Sequence, residues 1–453
     1  MNRTDIDICM KTAKRIHFVG IGGISMSSLA AITKERGYAV SGSDRTKSAL
    51  TERLADEGIR ITYGHEPETV HGASLIVYTA AVHTDNPELA EAKRCGIPLC
   101  SRADYLGWLM SGYGERIGVA GTHGKSTVTS MLTEIAIAAD WDPTVVSGAE
   151  LPSIGGAYRI GREESFLFEA CEYCDSFLSF CPTVAVITNV EYDHADYFKD
   201  MDQLRRSFLN YLSLANVAVL NADDAEIMAL AQTYTGTVIT YGIREEADCH
   251  AVGVRFVEGC ASFDLVYRGE KVCAVALAVP GMHNVSNALA AAAAALYCGA
   301  TPYAVAKGLA GFTGAKRRFE RVGQMPCGAV VYNDYAHHPS EIRATLAAAK
   351  ALGRYIRCVF QPHTYSRTVS LFDAFAAAFS DADEVLFADI YAARETNTFG
   401  VSSEALAAQT PNGRCLGTAE AIVSYLKANA GSEDLILILG AGDIVHIGTQ
   451  LLI

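Results

Sequence analysis

The sequence predicts an α/β protein of three domains built mainly on parallel sheets, and two observations carry that expectation. Short β-rich apolar runs alternate with longer Ala-rich helical stretches along the whole chain, the signature of parallel strand–helix units. The 453 residues, at roughly 150 per domain, allow about three units, each large enough to bury its own core.

The elements fall into three blocks. Residues 1–112 open with a strand at Arg15–Val19, continue through strands at 38–41 and Leu75–Tyr78, and fade in the Gly- and Ser-containing stretch 111–114. Residues 113–311 hold strands at 116–120, 165–168 and 184–188, and end in a very Ala-rich helix, 284–298, with a short helix before Gly311. Residues 312–453 hold strands at 329–332, 357–360, 384–387 and Asp434–Leu439. No repeat recurs at a fixed period, so the alanine run reads as a tightly packed helix rather than low complexity.

Composition narrows the function classes. Half the residues are apolar, 19% are charged and 39 are glycine, which fits a globular chain and argues against long disorder. With 37 basic and 51 acidic side chains the net charge is −14, a poor basis for nucleic-acid binding, though a local pocket for a small anion stays allowed. The thirteen cysteines are an odd number scattered from Cys9 to Cys415. No secretory segment precedes them, so reduced thiols in a cytoplasm are the expectation. The apolar runs fall short of the roughly 18 residues a membrane span requires. Oligomeric state is left open.

Two Gly-rich turns stand where a strand meets a helix. The first, Gly20-Ile21-Gly22-Gly23-Ile24-Ser25, has Asp44 about twenty residues on, near a dinucleotide fingerprint, but Ser25 replaces its third glycine. Backbone N–H groups and the helix dipole at such a turn hold any diphosphate. A nicotinamide cofactor, a sugar nucleotide and a purely structural turn all remain open there. The second, Gly121-Thr122-His123-Gly124-Lys125-Ser126-Thr127, reads as a phosphate-cradling loop. Its glycines let N–H groups converge on an anion, Lys125 supplies a point charge for the β- and γ-phosphates, and the Ser126 hydroxyl is placed for Mg²⁺. The strict pattern needs glycine at 119, where this chain has Val119.

Further polar clusters follow strands, where ligands bind in open α/β sheets. Glu169 ends one strand; Glu191, Asp193 and His194 follow another, so Glu169 and His194 are candidates to meet Ser126 around metal ions. Cys171 and Cys174 lack a second pair at comparable spacing, and packed thiols are the default over zinc. His283, Asn284 and Asn287 head the Ala-rich helix, where capping alone explains one of the three. Lys316-Arg317-Arg318 is a basic cluster suited to an anion, and Tyr335, His337, His338, His363 and Arg367 lie beyond strands of the third block.

The ordered set GIGGISMSSLA, GTHGKST, EACEYCDSFL, TNVEYDH, GMHNVSNALAA, FTGAKRRFE, NDYAHHPSEI, FQPHTYSRT and GAGDI resembles the Mur ligase family over essentially the whole chain. The first turn, the His-His-Pro segment and the Q-P-H-x-Y-x-R segment resemble its alanine-adding branch and the related murein-tripeptide recycling branch. The resemblance implies an ATP-dependent amide ligase with an N-terminal Rossmann-like domain (1–112) for a UDP-sugar, a central P-loop ATPase with a mainly parallel sheet (113–311), and a C-terminal Rossmann-like domain (312–453) for the amino acid. L-Alanine would be joined to the lactyl carboxylate of UDP-N-acetylmuramate through an acyl phosphate. Carried over by motif, Lys125 neutralises the transferring phosphate, Ser126 and Glu169 hold one Mg²⁺, and His194 holds a second. His283 and Asn287 contact the adenine nucleotide. Arg318 reaches substrate or phosphate, and Tyr335, His338, His363 and Arg367 serve the alanine pocket. The diphosphate lies on Gly22, Gly23, Ile24 and Ser25, with Asp44 on the ribose. Two departures stand out: Lys-Ser replaces the commoner Lys-Thr, and Cys171 replaces a carboxylate with an extra residue before Asp175, leaving Glu172 unassigned. Closure over the acyl phosphate calls for hinges near 112 and 312.

Overall fold

A computed structural model of the chain describes residues 1–453 apart from 80, 84 and 394. Strands β1 (Arg15–Val19), β2 (Ala39–Asp44), β3 (Arg60–Tyr63), β4 (Leu75–Tyr78) and β5 (Leu99–Ser101) form a sheet in the order β3-β2-β1-β4-β5, parallel throughout. The order reverses between β1 and β4, and the first Gly-rich turn leaves β1 at that crevice. Ile16 and Phe18 of β1 and Leu75 and Val77 of β4 are wholly buried on one face, and Val19 and Ile76 on the other, as a sheet covered on both faces requires.

The central sheet has ten strands: β6 (Glu115–Ala120), β7 (Thr144–Leu151), β8 (Gly156–Arg159), β9 (Ser165–Glu169), β10 (Val184–Ile187), β11 (Val217–Asn221), β12 (Thr237–Gly242), β13 (Cys249–Val257), β14 (Cys260–Tyr267) and β15 (Glu270–Pro280). Their order is β15-β14-β13-β12-β11-β10-β6-β9-β7-β8. The middle is parallel, while β7–β8, β13–β14 and β14–β15 are antiparallel. The β13–β15 extension departs from the simple strand–helix alternation read along the chain. Its two hairpins turn through Glu258-Gly259 and Arg268-Gly269, all four residues with positive φ, which is the type I′ geometry that matches strand twist.

The Ala-rich helix runs Met282–Tyr297 and packs beside Lys125–Ala138, with residues 288–295 buried. The helix Pro302–Gly311 packs against Lys125–Ala138 in turn. A Cβ on Gly308 would lie 2.5 Å from the Ile135 Cα, so only glycine permits that approach.

In the third sheet β16 (Glu320–Gln324), β17 (Val330–Asp334), β18 (Tyr355–Phe360), β19 (Glu384–Ala388), β20 (Gly413–Gly417) and β21 (Asp434–Leu439) take the order β16-β17-β21-β18-β19-β20. Edge strand β16 alone pairs antiparallel among the described strands of this sheet. Central β21, Asp-Leu-Ile-Leu-Ile-Leu, is buried along its whole length. No helix among the described residues is long and apolar enough to cross a membrane.

Candidate active site

The phosphate loop leaves the C-terminal end of β6, where Val119 is a wholly buried strand residue paired with Val186. The residue that departs from the strict pattern therefore lies below the loop. Gly121 (φ +133) and Gly124 (φ +78) adopt conformations that favour glycine. A Cβ on Gly121 would stand 2.0 Å from Thr188 Oγ1, and one on Gly124 2.8 Å from Asn287 Oδ1. Asn189 braces the loop twice: its Oδ1 accepts from the His123 N–H at 2.8 Å and its Nδ2 donates to the His123 carbonyl at 3.1 Å. Thr127 lies on the first turn of the following helix, where its N–H faces the loop side.

Lys125 curls back over this loop, donating to the carbonyls of Gly121 and of Thr122 (3.0 Å) and to Glu172 Oε2 (3.0 Å). Burial opposes its charge, but Glu172, Cys171 and Glu169 outweigh it and hold the ammonium protonated. Glu172, 2% exposed, stays ionised because Lys125 and His194 outweigh its burial. Ser126 Oγ donates to Glu169 Oε2 at 2.8 Å, and Gly148 N–H donates to the same oxygen at 2.9 Å. His194, held at φ +55, reaches this cluster through Glu172 Oε1, 3.6 Å from its Nε2. The structure thus joins Ser126 to Glu169 directly, and brings Lys125 and His194 together through Glu172.

The third domain completes the wall. Arg318 donates to Ser126 Oγ at 3.2 Å, and both Arg317 and Arg318 lie over the Tyr335 ring, 4.6 and 5.1 Å from its centroid. Burial, against the pull of Arg318, raises the Asp334 carboxyl to about 6. His338 caps the helix Pro339–Lys350; burial and then neighbouring His123 lower its pKa to about 4, so it is neutral at pH 7. His363 is likewise lowered to about 4 by burial and Arg367. Arg367, assigned by resemblance to the alanine pocket, grips Asp193 of the central domain through Nε–Oδ1 (2.7 Å) and Nη2–Oδ2 (3.1 Å). Both residues are 7% exposed, so this is a buried bidentate tie between domains.

A cavity of about 240 Å³ lies between these walls, lined by His123, Gly124, Asn189, His283, Asn287 and Arg318 among others. Burial lowers His283 to about 4, leaving a neutral imidazole suited to an uncharged base edge. At the first turn, Asp44 Oδ2 accepts from the Gly22 N–H at 2.8 Å. Gly23 caps the helix that begins at Ile24, and Ser25 Oγ accepts from Arg102 at 3.1 Å.

Glu172, Asn189, Asp193, Glu341 and Arg102 escaped assignment in the sequence. Asn189 and Asp193 lie inside the quoted TNVEYDH segment. Arg102 follows directly on β5, a three-residue strand too short to announce its C-terminal end.

Comparison with known proteins fits this geometry. Models described as "Mur ligase family, catalytic domain", "Mur ligase middle domain" and "Mur ligase, glutamate ligase domain" match residues 15–113, 119–295 and 317–442. The chain is 46% identical to the UDP-N-acetylmuramate–L-alanine ligase of Acetivibrio thermocellus, across 97% of this chain and 96% of the relative. It is 44% identical to that of Clostridium beijerinckii, across 97% of each. The crystal structure of UDP-N-acetylmuramate–alanine ligase from Thermotoga maritima superposes with a TM-score of 0.82 at 28% identity, covering 97% of this chain and 98% of that one. A murein peptide ligase from Psychrobacter arcticus shares the fold, with a TM-score of 0.72 at 23% identity over 97% and 98%. Three successive α/β sheets, a lysine-bearing phosphate loop near a third-domain arginine, and relatives matched over nearly the whole chain agree: the chain belongs to the Mur ligase family.

Proposed function

We propose that the chain joins L-alanine to the lactyl carboxylate of UDP-N-acetylmuramate, driven by ATP, in peptidoglycan precursor synthesis in the cytoplasm. The observation that carries the reading is the meeting of Ser126 with Glu169 and Arg318, beside Lys125 held on Glu172, at a loop whose relatives share the whole chain. The proposed domain limits, 1–112, 113–311 and 312–453, place one substrate on each domain.

The hydroxyl of Ser126 and the carboxylate of Glu169 are hard oxygen donors 2.8 Å apart, a donor set that fits Mg²⁺, and His194 beside Glu172 is the candidate for a second ion. When bound, Mg²⁺ supplies charge neutralisation for the triphosphate. Lys125, kept charged by Glu172, faces the γ-phosphoryl group and Arg318 approaches it from the third domain. Positioning and electrostatics are what a loose phosphoryl-transfer transition state requires. A lactyl carboxylate oxygen attacks the γ-phosphorus, the bond to the β–γ bridging oxygen breaks, and ADP departs. The neutral amine of L-alanine then attacks the acyl carbon; the carbon–oxygen bond breaks, and inorganic phosphate leaves carrying the proton that the amine nitrogen gives up. His338 and His363, neutral at pH 7, accept hydrogen bonds from that amine. His283 and Asn287 hold the adenine nucleotide, Tyr335 and Arg367 border the amino-acid pocket, and Gly22, Gly23, Ile24, Ser25 and Asp44 hold the UDP moiety.

Phosphate release from ATP that requires both UDP-N-acetylmuramate and L-alanine is the expected result; release needing neither overturns the reading. Replacing L-alanine with the murein tripeptide separates the two branches, with faster turnover on L-alanine expected.

A further inference from the structure

His123, Glu191 and His338 converge where the third domain meets the phosphate loop, and the mechanism above gives His123 and Glu191 no task. Their ligand-type atoms all lie within 4.8 Å of one another. His123 Nε2 is 3.5 Å and His338 Nδ1 3.6 Å from Glu191 Oε2. A tetrahedron with bonds of roughly 2.0–2.1 Å has edges of roughly 3.3–3.5 Å, so these separations need little adjustment.

Two observations at this place point to a cation. Both ring nitrogens of His123 are buried without hydrogen-bond geometry to any described residue, each facing one carboxylate, Glu191 at 3.5 Å and Glu341 at 3.3 Å; His338 is 4% exposed, and its Nδ1 also accepts from the Ser340 N–H at 3.4 Å. Buried polar atoms left so call for an explanation such as a bound ion. The surrounding groups, moreover, are arranged as an outer shell. Glu341 Oε1 stands 3.3 Å from His123 Nδ1, the carboxylate–imidazole relation that turns the other nitrogen toward a metal. Glu341 Oε2 is fixed by the His337 and His338 N–H groups at 3.0 and 3.3 Å. Ser340 donates to Glu191 Oε2.

We infer that His123, Glu191 and His338 form a binding site for one borderline divalent cation, with Zn²⁺ the best match, that staples the third domain onto the phosphate loop. Two imidazoles and one carboxylate with room for a water are a Zn²⁺ donor set; Mg²⁺ prefers oxygen. Because His123 and Glu191 also line the nucleotide cavity, an ion held here pins the domains together over it and opposes ATP entry.

The test is calorimetric titration of zinc chloride into the full chain, free of Mg²⁺ and of all substrates, so its outcome does not depend on the ligase reading. His338→Asn removes one ligand while keeping a good helix cap; Glu191→Gln removes another from a different element. All titrations use a His71→Asn background, which disables the exposed His71–Glu91–Cys95 group. Binding of one Zn²⁺ per chain is expected to weaken at least tenfold in both variants. Co²⁺ in place of Zn²⁺ is expected to give an intense tetrahedral visible band that both variants lose. Zn²⁺ affinity in both variants equal to that of the unmutated site, or a Co²⁺ band unchanged by them, overturns the site.

Discussion

The two Gly-rich turns begin alike and end in opposite charge. Each follows a buried parallel strand, turns on a positive-φ glycine (Gly20 at +81, Gly121 at +133) and opens a helix. At the first, the full charge hydrogen-bonded to the turn's backbone is the Asp44 carboxylate on Gly22 N–H, with Arg102 held to one side on Ser25. At the second, Lys125 lies inside the loop on its own carbonyls, with Glu172 and Glu169 around it. A diphosphate that is only held needs N–H groups and a hydroxyl partner, whereas a phosphoryl group being transferred needs a cation at the developing charge. The same local fold can present either charge, because the charge comes from the first helical residue and from neighbouring strands.

The comparison breaks most sharply at Lys125. Lys125→Ala is expected to lower kcat by about 10³-fold while UDP-sugar affinity stays within about twofold, measured by coupled ADP release and by calorimetry. Equal loss at both sites would mean that the turns are not separable. Gly121→Ala comes next, because its methyl meets Thr188 Oγ1 at 2.0 Å. Expected are a loss of about 10² in kcat/KM for ATP and a lower Tm together. Gly23→Ala is the milder counterpart: at φ −67 its nearest neighbour would be Gly20 O at 3.6 Å. Its Tm should move by no more than about 1 °C while KM for the UDP-sugar rises about fivefold, about 1 kcal/mol, since the new methyl meets only ligand. An unchanged KM would make the first turn purely structural.

The smallest effect is a pH limb beneath the first turn. Wholly buried Glu88 accepts from Ser43 at 2.6 Å and contacts His17 at 3.1 Å, and the Ser43 carbonyl receives the Gly20 and Ile21 N–H groups. Burial opposes its ionisation, but His17, Ser43, Thr69 and His65 outweigh burial and bring its pKa from 4.5 to about 2. The unfolded chain therefore binds the proton first, so the stability from Glu88 is present above about pH 4.5 and lost as pH falls toward 2. Thermal melts should show this limb in the parent chain and a flatter one in Glu88→Gln. An identical acid limb would remove Glu88 from its supporting role.

The parallel core was legible because β1, β6, β17 and β21 are apolar runs ending in Gly, Asp or Asn, and because both turns keep their punctuation. The β13–β15 extension was harder to read. Its strands are buried on one face only, so Val252, Phe256 and Val257 remain exposed and blur the alternation, although Glu258-Gly259 and Arg268-Gly269 carried the hairpin signal. Lys125 and Ser126 were legible from spacing, whereas Glu172 was not. The extra residue that the resemblance implied falls beside Cys174 and Asp175, both left-handed at φ +54 and +53; such backbone absorbs an insertion that linear register cannot follow. Asp193 and Arg367, 174 positions apart, are partners that only tertiary folding brings together.

The alanine run in Met282–Tyr297 is chemically mute, yet it works as a jig. Residues 288–295 have no free side on which to accommodate a larger side chain, and His283 and Asn287 stand at the end of the same rod. An added methylene at Ala291 or Ala294, roughly 6–10 Å along the axis from Asn287, would shift that whole end rather than dent it locally. Sites of lost nucleotide affinity should therefore extend down the helix well beyond the end that faces the nucleotide.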